Sequence, residues 1–180
     1  MFASEERCDH NSLLDSAIQL FWKKGYADTS LSDLEKATGV NKSGLYSEFK
    51  DKDDIFYESL KRYHESNPLY ELLKADSLGW KNIENYFKAK INCKGQKACF
   101  MAFTMREYSI IPKRVKDLME KNSAEVFELF LENIKAAGGK NPEVKAKHLL
   151  TYATGSCLKA NAERPEVLIE EMMSFIDMLK

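Results

Sequence analysis

Asn41, Lys42, Ser43 and Gly44 stand together at the leading end of a short apolar-patterned segment that also carries Tyr46. These residue types suit a nucleic acid. Lysine bonds guanine or phosphate, serine bonds either kind of partner, and glycine lets the backbone approach closely. Tyr46 offers its hydroxyl to a phosphate, while Leu45 and Phe49 anchor the segment to a core. Lys52 opens the next helix, where its ammonium and the local backbone N–H groups suit a phosphate. Thr29 and Ser30, opening the preceding helix, suit one from the other side. Other chemistry lacks its residues. There is no C-x-x-C, and His10, His64 and His148 stand far apart, so no metal site is expected. The single Gly-Gly pair, Gly138-Gly139, follows a helical segment, which excludes a phosphate-binding glycine loop. No nucleophile with a partnered base and no carboxylate pair around a pocket can be found, so neither catalysis nor a cofactor is expected.

The elements that must hold these residues are helices. Leu13, Leu14, Ala17, Ile18, Phe21 and Trp22 recur at spacings of three and four, and Gly25 stops the run. Leu31, Leu34 and Ala37 mark a second helix, opened by the capping box Ser30-Leu31-Ser32-Asp33 and closed by Gly39. Asn41 caps a third helix. Asp51-Lys52-Asp53-Asp54 repeats the logic for a fourth, which should end before Pro68. Two short helices joined by a tight glycine turn describe a helix-turn-helix, whose second helix enters the major groove by its N-terminal residues. Further helices are expected over 79–92, 99–109, 113–137, 143–161 and 165–179. No alternating or β-branched run argues for a strand. The fold class is therefore all-α, with a three-helix DNA-binding head over 1–50, a connecting helix over 51–66 and a helical body over 67–180.

The runs from Phe21 to Ser30 and from Leu34 to Lys52 resemble the N-terminal domain of TetR-family regulators. The F-x-x-x-G-Y-x-x-T-S run, the A-T-G-V-N-K-S turn and the L-Y-x-x-F-K-D-K ending occur in the family's order over about residues 10–63. The resemblance implies a homodimer with one DNA-binding head per subunit and a ligand-binding, dimerising body. It assigns DNA contacts to Thr29, Asn41, Lys42, Ser43, Gly44, Tyr46 and Lys52. Two positions depart from the pattern. Glu35 stands where the family mostly has a small residue, and Glu48 where a His, Tyr or neutral polar residue is common near the DNA backbone.

The body offers apolar stripes. Trp80, Phe87, Phe100 and Phe103 are core formers by spacing and, by the resemblance, candidates to line an apolar effector site with Arg106 as its polar partner. Cys99 opens a helix after Lys94 and Lys97, and Cys93 lies close in sequence. The pair is a candidate redox sensor, against the plain reading of small buried hydrophobes. Leu149, Leu150, Ala153, Cys157 and Leu158 share one face of the penultimate helix, and Leu168, Met172, Phe175 and Leu179 share one face of the last. These faces are expected to meet their symmetry mates in a homodimer.

Composition agrees with a globular protein: 44% of the 180 residues are apolar and 31% charged, which excludes disorder. No apolar run approaches the roughly 20 residues that span a bilayer. Met1–Arg7 lacks the start of a secretion signal, so a cytoplasmic location is expected. The sequence thus reads as a ligand-responsive regulator, a repressor binding a pseudo-palindromic operator and released by a small molecule. The rival readings are an all-α small-molecule-binding protein or enzyme without DNA, and a head that binds a protein partner. One feature of charge stands against tight background binding. Residues 1–66 carry nine basic and thirteen acidic side chains, and non-specific affinity runs on phosphate neutralisation.

Overall fold

Short side chains at the helix ends decide where each element of the first third begins and stops. The computed structural model describes residues 10–91, 99–160 and 162–180. In it α1 (His10–Lys24) stops at Gly25. α2 (Leu31–Thr38) starts on Ser30, whose side chain and that of Asp33 each accept from the other's backbone N–H. Gly39 ends α2 at φ +72° and ψ +3°, the left-handed region that costs a glycine nothing. α3 (Lys42–Glu48) starts on Asn41, and α4 (Lys52–Glu65) on Asp51, whose side chain accepts from the Asp54 N–H. The capping box, the glycine stop and both further caps occupy the residues expected.

The remaining helices are α5 (Leu69–Lys74), α6 (Trp80–Ile91), α7 (Phe100–Thr104), α8 (Lys113–Ala136), α9 (Pro142–Lys159) and α10 (Pro165–Leu179). A short 3-10 turn, Met105–Glu107, follows α7. No strand occurs among the described residues, and none of the helices there is long and apolar enough to cross a membrane. Two expectations need correcting. α5 lies just after Pro68, in a stretch of the body where no helix was expected. Proline forbids the interior of a helix, but its fixed φ suits the start, and Pro68 is the residue that precedes α5. The helix expected over 99–109 ends instead at Thr104 and tightens into the 3-10 turn.

The chain divides into two compact units. One, the head, holds the residues through Ser66 together with Thr104–Lys116; the other, the body, holds Asn67–Phe103 and Asp117–Lys180. The segment Thr104–Lys116, expected in the body, thus belongs with the head. In the head, Leu13, Ala17 and Phe21 of α1 are fully buried with Leu34 of α2, Leu45 of α3 and Ile55 and Leu60 of α4. The Phe21 and Phe56 rings meet edge to face at 4.8 Å. Each such buried side chain contributes roughly 1.5–3 kcal/mol. That apolar anchor holds two helices too short to persist alone in water.

In the body, Phe87 stacks on Phe130 and Tyr86 meets both rings at an angle. Asn133 is buried without cost: its amide donates to the carbonyls of Leu73 and Leu129, each at 2.8 Å, and its oxygen accepts from the Gly79 N–H at 2.9 Å. Part of the expected dimer face is corrected. Leu149, Ala153, Cys157, Leu168, Met172 and Ile176 are buried within the body itself. Both helices carry apolar residues on more than one side, and the wider face closes the unit's own core.

Replacing Gly39 by Ala should lower head stability by about 1–2 kcal/mol, because a Cβ is strained at positive φ. Nothing lies within 4 Å of that Cβ position, so Gly39→Asn should recover much of the loss. Thermal melts of the two variants check this; equal midpoints for wild type and Gly39→Ala would contradict it.

Candidate nucleic-acid interface

α3 presents two faces because its apolar residues fall four apart. Leu45 and Phe49 are 0% and 2% exposed and lock the helix to the head core, while Tyr46 is 42% exposed. Asn41, Lys42, Ser43 and Ser47 are also exposed. The Asn41 side chain accepts from the Gly44 N–H at 2.9 Å, and the Ser47 hydroxyl donates to the Gly44 carbonyl at 2.7 Å. The Lys42 ammonium lies 5.8 Å from the centre of the Tyr46 ring, so charge and ring project together. Gly44 is half-buried, and a Cβ there would lie 2.6 Å from a Val40 methyl carbon. Its absent side chain therefore serves the close crossing of α3 over the turn.

Four expected contacts thus share one exposed tip: Asn41, Lys42, Ser43 and Tyr46. Ser30 is exposed too, but its hydroxyl already donates to Asp33 at 2.6 Å while accepting the Asp33 N–H. Thr29 and Lys52 lie off that tip. Thr29 is 1% exposed and its hydroxyl donates to the Gly25 carbonyl at 2.6 Å. The Lys52 ammonium donates to the carbonyls of Tyr26 (2.9 Å) and Thr29 (3.1 Å) and sits 4.3 Å from the Tyr26 ring centre. The Lys52 side chain ties the α1–α2 connection to α4, and the Thr29 hydroxyl closes that connection on itself. Sequence type cannot reveal this, because it names a donor without its direction.

The acidic excess of the head has a structural explanation. Asp33 binds Lys24 at 2.8 Å and accepts from Ser30, and these contacts hold its carboxyl well below the usual carboxylate range. Asp54 is lowered by the Lys50 N–H it accepts at 3.0 Å, against some desolvation, and by Arg114 at 2.6 Å. Asp15 is lowered by its paired bonds to Arg62. Glu48, one of the two departures from the family pattern, lies 2.7 Å from the His10 ring nitrogen. The segment Thr104–Lys116 adds four basic side chains and one acidic one to this unit.

That acidic residue, Glu107, has partners the sequence does not indicate. Its two carboxylate oxygens accept consecutive backbone N–H groups, Tyr26 at 2.7 Å and Ala27 at 2.8 Å. The same segment sends Arg114 to Asp54 and over the Tyr57 ring at 4.9 Å. The only available signal was a Glu four residues beyond an apolar run, and nothing local to it named a partner some 81 residues away.

The expected effector residues do not form one group. Phe87 and Phe100 are fully buried in the body, and Trp80 and Phe103 are half-buried there. The Lys145 ammonium lies 5.6 Å from the Trp80 ring centre. Arg106 is exposed in the head unit. Cys93 lies outside the described residues. Cys99 is 9% exposed, and its backbone amide and the Lys90 ammonium both reach the Cys157 sulfur. Burial pushes the Cys157 thiol up while Lys90 pulls it down. Among the described residues no group of three His, Cys, Asp or Glu side chains could hold a metal.

Comparison with known proteins follows the same lines. The family model described as bacterial regulatory proteins, tetR family, matches residues 13–58. The chain is 30% identical over 158 residues to the HTH-type transcriptional repressor ComR of Escherichia coli K12, covering 80% of this chain and 73% of ComR. It is 46% identical over 46 residues to the regulator AcrR of Shigella flexneri, 26% of this chain and 21% of AcrR. Among solved structures, reduced NemR of E. coli superposes with a TM-score of 0.82 at 21% identity, over 93% of this chain and 95% of that one. The regulator CifR, solved as a cysteine mutant with 26-bp operator DNA, gives 0.83 at 20% identity, over 95% and 97%. At these identities the structures share the fold.

Two outcomes follow from the clamp around Tyr26. Glu107→Ala leaves two amides without their acceptor and should cost about 1–3 kcal/mol of head stability, read by a thermal melt. An unchanged midpoint would show the clamp to be idle. Burial and the hydrogen bond its hydroxyl donates to Asp53 push the Tyr26 phenol up to about 12. A raised folded-state value gives stability that is complete below pH 10 and lost as pH rises toward 12. Tyr26→Phe should therefore lose less stability than wild type across that window in alkaline denaturation.

Proposed function

The chain belongs to the TetR family of bacterial regulatory proteins, and on that premise we propose that it is a sequence-specific transcriptional repressor released from DNA by a small molecule. The observation that carries the reading is the tip of α3. Asn41, Lys42, Ser43 and Tyr46 are exposed together on a helix whose opposite face is locked by Leu45 and Phe49. A rigid helix with a polar, basic leading end is what reading base edges in a major groove requires. Lys42 and Ser43 reach base edges or phosphates, and Tyr46 and Ser30 reach phosphates. The name of ComR as a repressor supports the direction of control.

A homodimer supplies the second tip. On α9 and α10 the apolar residues left at the surface include Val144 (52% exposed), Leu158 (43%) and Met178 (75%). These are the residues a symmetry mate would cover. Phe175 stacks on Tyr152 at 4.2 Å, so it serves its own subunit as well. Two tips from a two-fold dimer meet successive major grooves when half-sites lie about one helical turn apart. The operator is accordingly a pseudo-palindrome, and the protein works in the cytoplasm, where that DNA is.

Release needs an effector that binds the non-binding arrangement better. The body's aromatic residues Trp80, Phe87, Phe100 and Phe103 supply apolar surface for one. α7 runs directly into the turn that carries Glu107, so a shift of α7 is conveyed along the chain to the α1–α2 connection.

The test is a gel shift with the DNA upstream of the protein's own gene. Wild type should retard it, Tyr46→Ala should abolish the shift, and Lys42→Ala should weaken binding with a salt slope smaller by about one ion. Leu158→Glu with Met178→Glu should yield monomers that bind weakly. Full binding by Tyr46→Ala and Lys42→Ala alike would overturn the reading.

A further inference from the structure

Glu35 lies on α2 but acts on the leading end of α3. Its carboxylate accepts the backbone N–H of Lys42 at 2.6 Å, reaching across the Gly39 turn from seven residues earlier. Lys42 is the first residue of α3, and its amide is one of those a helix leaves without an internal partner. Two neighbouring amides are closed otherwise: Gly44 by the Asn41 side chain at 2.9 Å, and Leu45 by the Asn41 carbonyl at 2.9 Å. The tip is therefore held by two neutral acceptors of Asn41 and one carboxylate, that of Glu35.

The charge is the consequential part. A helix N-terminus ordinarily attracts an anion, and DNA offers a phosphate on every sequence. Here a half-exposed carboxylate already occupies the Lys42 amide. Any phosphate approaching the tip meets that charge well within the roughly 10 Å Debye length at 0.1 M salt. Glu48, at the other end of α3, is hydrogen-bonded to the His10 ring. Among the described residues no cationic side chain pairs with Glu35. The repulsion is the same for every duplex, whereas base contacts are gained only on the right one.

We propose that Glu35 is a specificity-determining positioning residue: its carboxylate fixes the tip of α3 and suppresses background DNA binding more than operator binding. The proposal rests on the DNA-binding reading above. Its two parts, the hydrogen bond and the charge, separate by substitution. Glu35→Gln keeps an acceptor for the Lys42 N–H and removes the charge. Glu35→Ala removes both.

The experiment uses the full chain in three forms: wild type, Glu35→Gln and Glu35→Ala. Each is titrated with the duplex upstream of its own gene and with a scrambled duplex of equal length and composition, across a salt series. Glu35→Gln should bind the scrambled duplex about 3–10-fold tighter, with a salt slope steeper by up to about one ion. Its affinity for the upstream duplex should rise less, so the ratio of the two falls. Glu35→Ala should show the same background gain and, with its tip loosened, bind the upstream duplex more weakly than Glu35→Gln. Thermal melts of all three establish that the head is folded. A Glu35→Gln ratio and salt slope equal to wild type would overturn the proposal while leaving the DNA reading intact. Failure of wild type to bind either duplex would overturn both.

Discussion

Short helices must close their end amides with side chains, and this constraint organises the head. α2 and α3 have eight and seven residues, so the orphan N–H groups of their first turns are a large share of their backbone polar groups. Oxygens close them one by one: Ser30 and Asp33 at α2, Asn41 and Glu35 at α3, Asp51 at α4. Glu107 does the same for the connection between α1 and α2. Three of these acceptors, Asp33, Glu35 and Asp51, are carboxylates of residues 1–66. The net-acidic composition of that stretch is in good part the consequence of building a compact motif from helices of two turns.

This resolves the conflict between an acidic head and the DNA-binding role proposed for the tip of α3. Charge counted along the sequence treats every carboxylate as a repeller of phosphate. In the structure Asp15, Asp33 and Asp54 face Arg62, Lys24 and Arg114. The cations that remain at the tip, Lys42 above all, are exposed. Placement rather than sum sets the field that DNA meets.

The parts of the fold legible in the sequence are those whose physics is local. A capping side chain and its amide lie three residues apart, and a glycine stop marks its own conformation, so Ser30, Gly39, Asn41 and Asp51 could be read directly. So could the split of α3 into anchors and tip, because Leu45 and Phe49 are four apart. Long-range choices were hidden. Thr29 and Lys52 have the chemistry of phosphate ligands, and nothing local told that they also bond carbonyls of Gly25, Tyr26 and Thr29. Glu107 looked like one end of an apolar helix, yet its partners are in the first quarter of the chain. Pro68 marked the end of α4, which stops at Glu65, but not the start of α5 just beyond it. On α9 and α10 periodicity showed two apolar faces without saying which the body keeps for itself.

The central claim is that the tip of α3 touches base pairs, twice, from a symmetric dimer. Photo-crosslinking tests it most directly, with benzoylphenylalanine placed at position 46 and, as a control, at position 178. After irradiation with the upstream duplex, position 46 should give crosslinks at two clusters of bases about one helical turn apart, and position 178 none. Crosslinks from position 178 with none from position 46, or a single cluster from position 46, would contradict the account.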